Sequence, residues 1–181
     1  PDPNKVRENI GKPLATALDA YAPKGYEVNP EMISNAYRKW YAEQGRLGLQ
    51  DEPLYPGMFK LINDLKNNKE FNIGVATNKS RVALNNGLNK HNLNEIFDIT
   101  LTMDEAKAKP DPDMAIQAMS MLNIEKKSTI IVGDTINDIG LGVNAGINSI
   151  GVAWGYNSIE MLKNEGADFI IKNSEELFDT I

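Results

Sequence analysis

Two hydrophobic rhythms divide the chain. In residues 1–52 the apolar positions repeat only at helical spacing. Ile33, Ala36, Tyr37, Trp40 and Tyr41 fall at i, i+3, i+4, i+7 and i+8, a one-sided stripe that predicts a helix. Asn29 followed by Pro30 supplies its N-cap and first turn. An earlier helix is expected over Leu14 to Tyr21, set off by a turn at Pro23-Lys24-Gly25, and Gly45 and Gly48 loosen the chain after the stripe. Packing is the better explanation of the Tyr37, Trp40 and Tyr41 stripe than a substrate pocket.

From Pro53 onward short apolar runs alternate with amphipathic ones, the pattern of βαβ units and a parallel sheet. Strands are expected at Asn72 to Ala76, Ile99 to Thr102, Thr129 to Gly133, Ser149 to Ala153 and Asp168 to Ile171. The intervening helices are expected at Gly57 to Asn67, Ser80 to Lys90, Asp113 to Leu122, Asn137 to Ala145 and Ile159 to Asn164. Met58, Leu61, Ile62 and Leu65 keep the helical period, and Gly146 and Gly166 are expected C-terminal stops. The fold class is therefore α/β, a three-layer Rossmann-like parallel sheet over residues 53–181 with a small helical domain over 1–52.

Composition narrows the function classes. The 181 residues, 41% hydrophobic and 24% charged, suit a packed soluble domain. No apolar run approaches the roughly 20 residues that span a bilayer, and Pro1 to Gly11 carries no targeting pattern, so no membrane partner and a cytoplasmic location are expected. A net charge of −6, with 7 basic and 8 acidic groups in residues 1–52, offers no basic face, so no nucleic-acid partner is expected. Without cysteine there is no thiol nucleophile or thiolate metal site, and His91, the single histidine, is read as a surface residue at a helix end.

Three polar clusters fall where open α/β sheets bind ligands, at the carboxyl ends of predicted strands. They are Thr77-Asn78-Lys79, Lys109-Pro110-Asp111-Pro112-Asp113, and Gly133-Asp134-Thr135 with Asp138. Alone, each is a turn, a cap or a solvated loop. Together they supply what phosphoryl transfer needs, which is positioning and neutralisation of charge. Thr77 could bond a phosphate oxygen, Lys109 could supply a fixed positive charge, and Asp134 with Asp138 at i, i+4 could hold Mg²⁺.

These stretches resemble a known family. Val75 to Ser80, Lys109 to Asp113 and Gly133 to Gly146 resemble the second, third and fourth motifs of haloacid dehalogenase superfamily hydrolases. Leu54 to Lys66 and the helical segment before it look like the cap junction of phosphoglycolate-phosphatase-like members. The resemblance implies a HAD-like core with a partial helical cap and a Mg²⁺-dependent phosphatase acting on a small phosphorylated metabolite through an aspartyl-phosphate. It implies that Thr77 and Asn78 bind phosphate, that Lys109 steadies phosphate and nucleophile, and that Asp134 and Asp138 hold or organise the metal. Lys12 and Arg38 are the cap's candidates for choosing the substrate.

One motif has no counterpart. The family's first, an apolar strand ending in Asp-x-Asp, does not occur; Asp111-Pro112-Asp113 has the letters but follows Lys109-Pro110 and already fits the third motif. Pro1 is therefore read as a start inside a longer frame, with on the order of 30 residues and the nucleophile upstream. In the resembling fold that strand lies between those expected at Asn72 to Ala76 and Thr129 to Gly133. Either another segment fills the place, or a second copy does, or the two flanking strands pair directly. The alternatives to a phosphatase are a non-catalytic phosphate- or partner-binding module and a sugar-phosphate mutase of the same superfamily. A dinucleotide site is excluded, since Gly140, Gly142 and Gly146 lie inside a predicted helix, and no Walker loop occurs. Oligomeric state is left open.

Overall fold

The computed structural model describes residues 9–12, 14–21, 29–47 and 52–181. The expected turn at Pro23 to Gly25, and Gly48, lie outside them. The chain divides into two compact units, Pro1–Pro53 and Leu54–Ile181.

The first unit holds α1 (Leu14–Asp19) and α2 (Pro30–Arg46), which pack on each other. The expected N-cap of α2 forms: Asn29 Oδ1 accepts from the N–H groups of Glu31 and Met32 at 3.0 and 3.1 Å. The stripe behaves otherwise than expected. Ala36, Tyr37 and Trp40 are exposed, while Ser34 of α2 is buried. The rings cover each other instead. Tyr37 lies 5.7 Å from Trp40 and 5.9 Å from Tyr41 between ring centroids, and the Tyr41 hydroxyl donates to the Glu52 carboxylate.

The second unit runs α3 (Met58–Asn67), β1 (Gly74–Thr77), α4 (Arg81–Lys90), β2 (Ile99–Thr102), α5 (Asp113–Leu122), β3 (Ile130–Gly133), α6 (Ile136–Ala145), β4 (Asn148–Val152), α7 (Ile159–Glu165), β5 (Phe169–Ile171) and α8 (Leu177–Thr180). Three helix starts have a side-chain cap as their local cause. Ser80 and Ser158 accept from the backbone of Ala83 and Met161, and Thr135 and Asp138 form a reciprocal capping box. α6 stops where Gly146 takes φ 68°, which favours glycine. The first strand begins later than expected because Ile73 spends its backbone on Asp98 outside the ladder: its N–H donates to Asp98 Oδ2 and its C=O accepts from Asp98 N–H. The short α8 was not expected, since four residues carry no readable period.

All strand pairs are parallel, as expected, but the ladder is not continuous. β1 pairs with β2, and β3, β4 and β5 pair in that order; among the described residues β1 and β3 are not paired. Direct closure of the two flanking strands therefore does not occur. One core cluster packs β2, α5 and α6 around Leu101, Met114 and Leu141, and a second packs α3, β4, β5 and α8 around Leu61, Ile150 and Leu177. These two cores hold the carboxyl ends of β1 and β3 at one edge of the unit.

Candidate active site

Thr77 ends β1, Asp134 follows β3, and Asp138 sits in the first turn of α6, so three of the expected residues reach one edge by strand direction alone. Lys109 comes from the loop before α5 and joins them. Its Nζ donates to the Ala76 carbonyl at 2.7 Å and to Asp138 Oδ1 at 2.5 Å. The two side chains keep 11% and 9% of their accessibility, which makes this a buried ion pair. The lysine thus ties the end of β1 to the start of α6 across the unpaired place in the sheet.

Asn78 performs a service that the sequence did not suggest. Its Oδ1 accepts from Lys109 N–H at 2.7 Å and its Nδ2 donates to the Lys109 carbonyl at 3.0 Å. The amide clamps the lysine backbone from both sides, so Asn78 acts on the site by placing Lys109. Thr77 Oγ1 accepts from Lys79 N–H at 3.1 Å, which fixes the turn and leaves the hydroxyl proton to donate.

The two carboxylates differ. Asp138 is buried and committed: Oδ2 accepts from Thr135 N–H at 2.9 Å and Thr135 Oγ1 at 2.7 Å, while Oδ1 meets Lys109. The cap is therefore Thr135 with Asp138, where a cap at Asp134 had been the bland alternative. Asp134 Oδ2 accepts from Tyr156 N–H at 3.0 Å. Burial pushes the Asp134 carboxyl above the ordinary carboxylate range, with the neighbouring Asp138 adding to it and Lys109 acting in the opposite sense.

Two glycines allow this spacing. A Cβ on Gly133 would lie 2.2 Å from Asp138 Cβ, and one on Gly155 would lie 2.0 Å from Asp134 Cβ. The loop after β4 belongs to the site for that reason. Beyond the Tyr156 bond, Asn157 N–H donates to the Asp134 carbonyl at 3.1 Å and Asn157 Oδ1 accepts from Ile136 N–H at 2.8 Å. Sequence reasoning passed over Gly155 to Asn157; a glycine between two aromatic residues just past a strand was the available signal.

Asn137 was also missed. It is buried between the two aspartates in sequence, and its Nδ2 has no hydrogen-bond partner. A buried donor left unpaired calls for a ligand or another explanation. Arg81 braces the Thr77 loop from behind, gripping Glu105 at 3.0 and 2.8 Å and the Thr100 carbonyl at 2.8 Å. This grip, with bonds from Thr102, holds the Glu105 carboxyl down to about 2.

Asp111, Asp113 and His91 have other places in the second unit. Asp111 Oδ1 accepts from Asp113 N–H, and Asp113 Oδ2 accepts from Lys107 N–H and Gln117, so this pair builds the start of α5. His91 ends α4. Lys12 and Arg38 belong to the first unit, where Lys12 Nζ donates to Asn9 Oδ1 at 3.0 Å and Arg38 is exposed on α2.

The family description "Haloacid dehalogenase-like hydrolase" matches residues 1–152. The chain belongs to this family. A curated relative, pyrophosphatase PpaX of Bacillus velezensis, is 30% identical over 171 residues, covering 93% of this chain and 74% of the relative. The crystal structure of a predicted phosphatase from Clostridium acetobutylicum is 27% identical, with a TM-score of 0.78 over 97% of this chain and 88% of that one. A second, from Haemophilus somnus and described as a predicted phosphoglycolate phosphatase, shares the fold at TM-score 0.83 with 22% identity, covering 98% and 81%. No helix of the described residues is long and apolar enough to cross a membrane.

Proposed function

We propose that the chain is the greater part of a Mg²⁺-dependent phosphatase for a small phosphorylated metabolite of the phosphoglycolate class. The observation that carries the reading is the placement of Lys109 Nζ, buried and bonded to both Asp138 and the end of β1 beside Thr77 and Asp134. A fixed cation next to hydroxyl and amide donors suits a transferring phosphoryl group. Thr77 would offer its hydroxyl and Asn137 its unpaired Nδ2 to phosphate oxygens, and Asn78 would hold Lys109 in place.

The residues fit a magnesium ion. No group of three or more metal-binding side chains gathers among the described residues, and Mg²⁺ suits one or two carboxylates with water and phosphate oxygen completing its shell. Asp134 and Asp138 would hold it, Asp134 directly because Asp138 is committed to Thr135 and Lys109. The ion supplies charge neutralisation on the phosphoryl group. Burial disfavours the charged form of Asp134, and Asp138 adds to that, which accounts for its upward displacement; a bound cation would offset both. The attacking carboxylate of the aspartyl-phosphate step would come from a residue outside these 181, since Asp111 and Asp113 serve α5. The relatives named pyrophosphatases favour a small phosphate compound over a polymer.

The test measures phosphate release from an aryl phosphate. The protein from its complete reading frame should turn over with Mg²⁺ and stop in excess chelator; full activity in chelator overturns the reading. The 181 residues alone should release no phosphate above background. Saturable turnover by them would place the nucleophile within these residues and make Asp111 and Asp113 the next to substitute.

A further inference from the structure

Two tyrosines of the second unit stand beside Asp134, and the phosphoryl-transfer chemistry above uses neither. Tyr156 lies in the loop after β4, and that loop is seated on Asp134 at three points. The Tyr156 N–H donates to Asp134 Oδ2 at 3.0 Å, the Asn157 N–H donates to the Asp134 carbonyl at 3.1 Å, and Gly155 leaves no room for a Cβ against the Asp134 side chain. Asn157 is buried, and Trp154 packs against the core around Ile150. Tyr156 between them is nevertheless 48% exposed. A backbone held at this many points keeps the ring out at the rim, where its apolar area is not used for packing.

Tyr55 comes from the segment just before α3. Its carbonyl accepts from Met58 N–H at 3.1 Å, Gly57 in the same turn takes φ 79°, and Met58 packs on the same core as Trp154. Tyr55 is 38% exposed. Burial pushes its hydroxyl up, with Asp134 and Tyr156 adding to the displacement, so the two phenols lie within electrostatic range of each other and of the carboxylate.

We infer that Tyr55 and Tyr156 recognise the non-transferring end of the substrate, donating their hydroxyls to a second anionic group, either a carboxylate or a second phosphate. The assignment rests on the phosphatase reading and narrows its substrate class to compounds that carry this second anion. Neutral donors suit the place. A lysine or arginine there would pair with Asp134 and compete with a cation for it, whereas a phenol donates and leaves the carboxylate its charge. Two donors on separate segments also fix a direction, so a substrate held at both ends has one orientation at the edge of the sheet. Asp134 joins the two ends of the site, because the carboxylate that would hold the metal accepts from the backbone that carries the Tyr156 ring.

The test compares Tyr55→Phe and Tyr156→Phe with the parent in the complete protein. The probes are phosphoglycolate and pyrophosphate, which carry a second anion, and ethyl phosphate, which does not. Each substitution should raise KM about tenfold for a probe with the second anion, as loss of a hydrogen bond to a charged group does, and leave kcat and the KM for ethyl phosphate unchanged. Sensitivity with phosphoglycolate alone identifies a carboxylate, and sensitivity with pyrophosphate alone identifies a phosphate. An equal rise for ethyl phosphate would make the tyrosines mere supports of Asp134 and overturn the inference, as would no change for any probe. Calorimetric titration with the same three compounds reads binding without turnover. The parent should bind phosphoglycolate or pyrophosphate about tenfold more tightly than ethyl phosphate, and the Phe variants should lose that preference. Absence of phosphate release from every probe overturns the phosphatase reading alone; absence of the binding preference in the parent overturns the role of the tyrosines.

Discussion

Lys109 Nζ and Asp138 Oδ1 meet at 2.5 Å, with both side chains about nine-tenths buried. Asp138 is at once the partner of the lysine and half of the cap of α6, so one carboxylate joins helix initiation to site charge. Removing one member of a buried pair strands the other. Lys109→Met should cost about 3–5 kcal/mol of stability. Denaturant unfolding checks it, and a loss below 1 kcal/mol would show that water reaches the pair.

Asp134 predicts the opposite sign. Its folded pKa is raised by burial, so its ionisation opposes folding as pH climbs through the folded value and continues to do so at neutral pH. Asp134→Asn keeps an acceptor for Tyr156 N–H and removes the charge. Without metal it should raise the melting temperature by a few degrees, on the order of 1 kcal/mol, while a protective shift by Mg²⁺ in the complete protein should vanish. Melting curves with and without Mg²⁺ decide both halves.

Asn78→Ala deletes two bonds to the backbone of Lys109. Each is worth about 1 kcal/mol, so a stability loss of roughly 2 kcal/mol is expected, with phosphate-dependent stabilisation reduced because the lysine is no longer placed. Asn78→Ser should recover less than half. Thermal shifts over a phosphate series read the second effect separately from the first.

Gly155→Ala places a methyl 2.0 Å from Asp134 Cβ, inside any tolerable contact. Overpacking of this kind costs about 1–3 kcal/mol, and the relief comes from moving the carboxylate. Gly87→Ala, where a Cβ meets nothing within 4 Å, is the control and should leave stability unchanged or raised. Similar melting temperatures for the two variants would remove Gly155 from the site.

Glu105 predicts an acid limb. Its pKa falls to about 2 through Arg81 and Thr102, so the contribution is complete above its ordinary value near 4.5 and disappears as pH drops from there toward 2. The pair is partly exposed, so the loss is modest and salt should shrink it. Glu105→Gln should flatten the stability profile between pH 4.5 and 2; an unchanged profile would assign the limb to other carboxylates.

Much of this protein was written in short-range pattern. The alternation of apolar runs specified parallel strands and their helices, with Ile99–Thr102 and Asp113–Leu122 placed to the residue and others within two. Ser80, Asn29, Gly146 and Gly166 announced helix ends because caps act within four residues of themselves. The clusters at Thr77 and Asp134 were legible because strand direction alone sends strand ends to one edge, whereas Lys109 reaches them from a loop. The rest depended on contacts made across the chain. Asn78 is clamped on a residue 31 positions away, and Gly155 and Tyr156 seat against Asp134 about 20 positions upstream. The stripe on α2 was visible as a helix, yet only the tertiary structure showed Tyr37 and Trp40 exposed. A hydrogen bond or a clash needs atoms within a few ångströms, and only the folded backbone decides which distant residues come that near. The lack of pairing between β1 and β3 among the described residues is of the same kind: period two says that a strand is apolar, and only the tertiary structure says which strands pair.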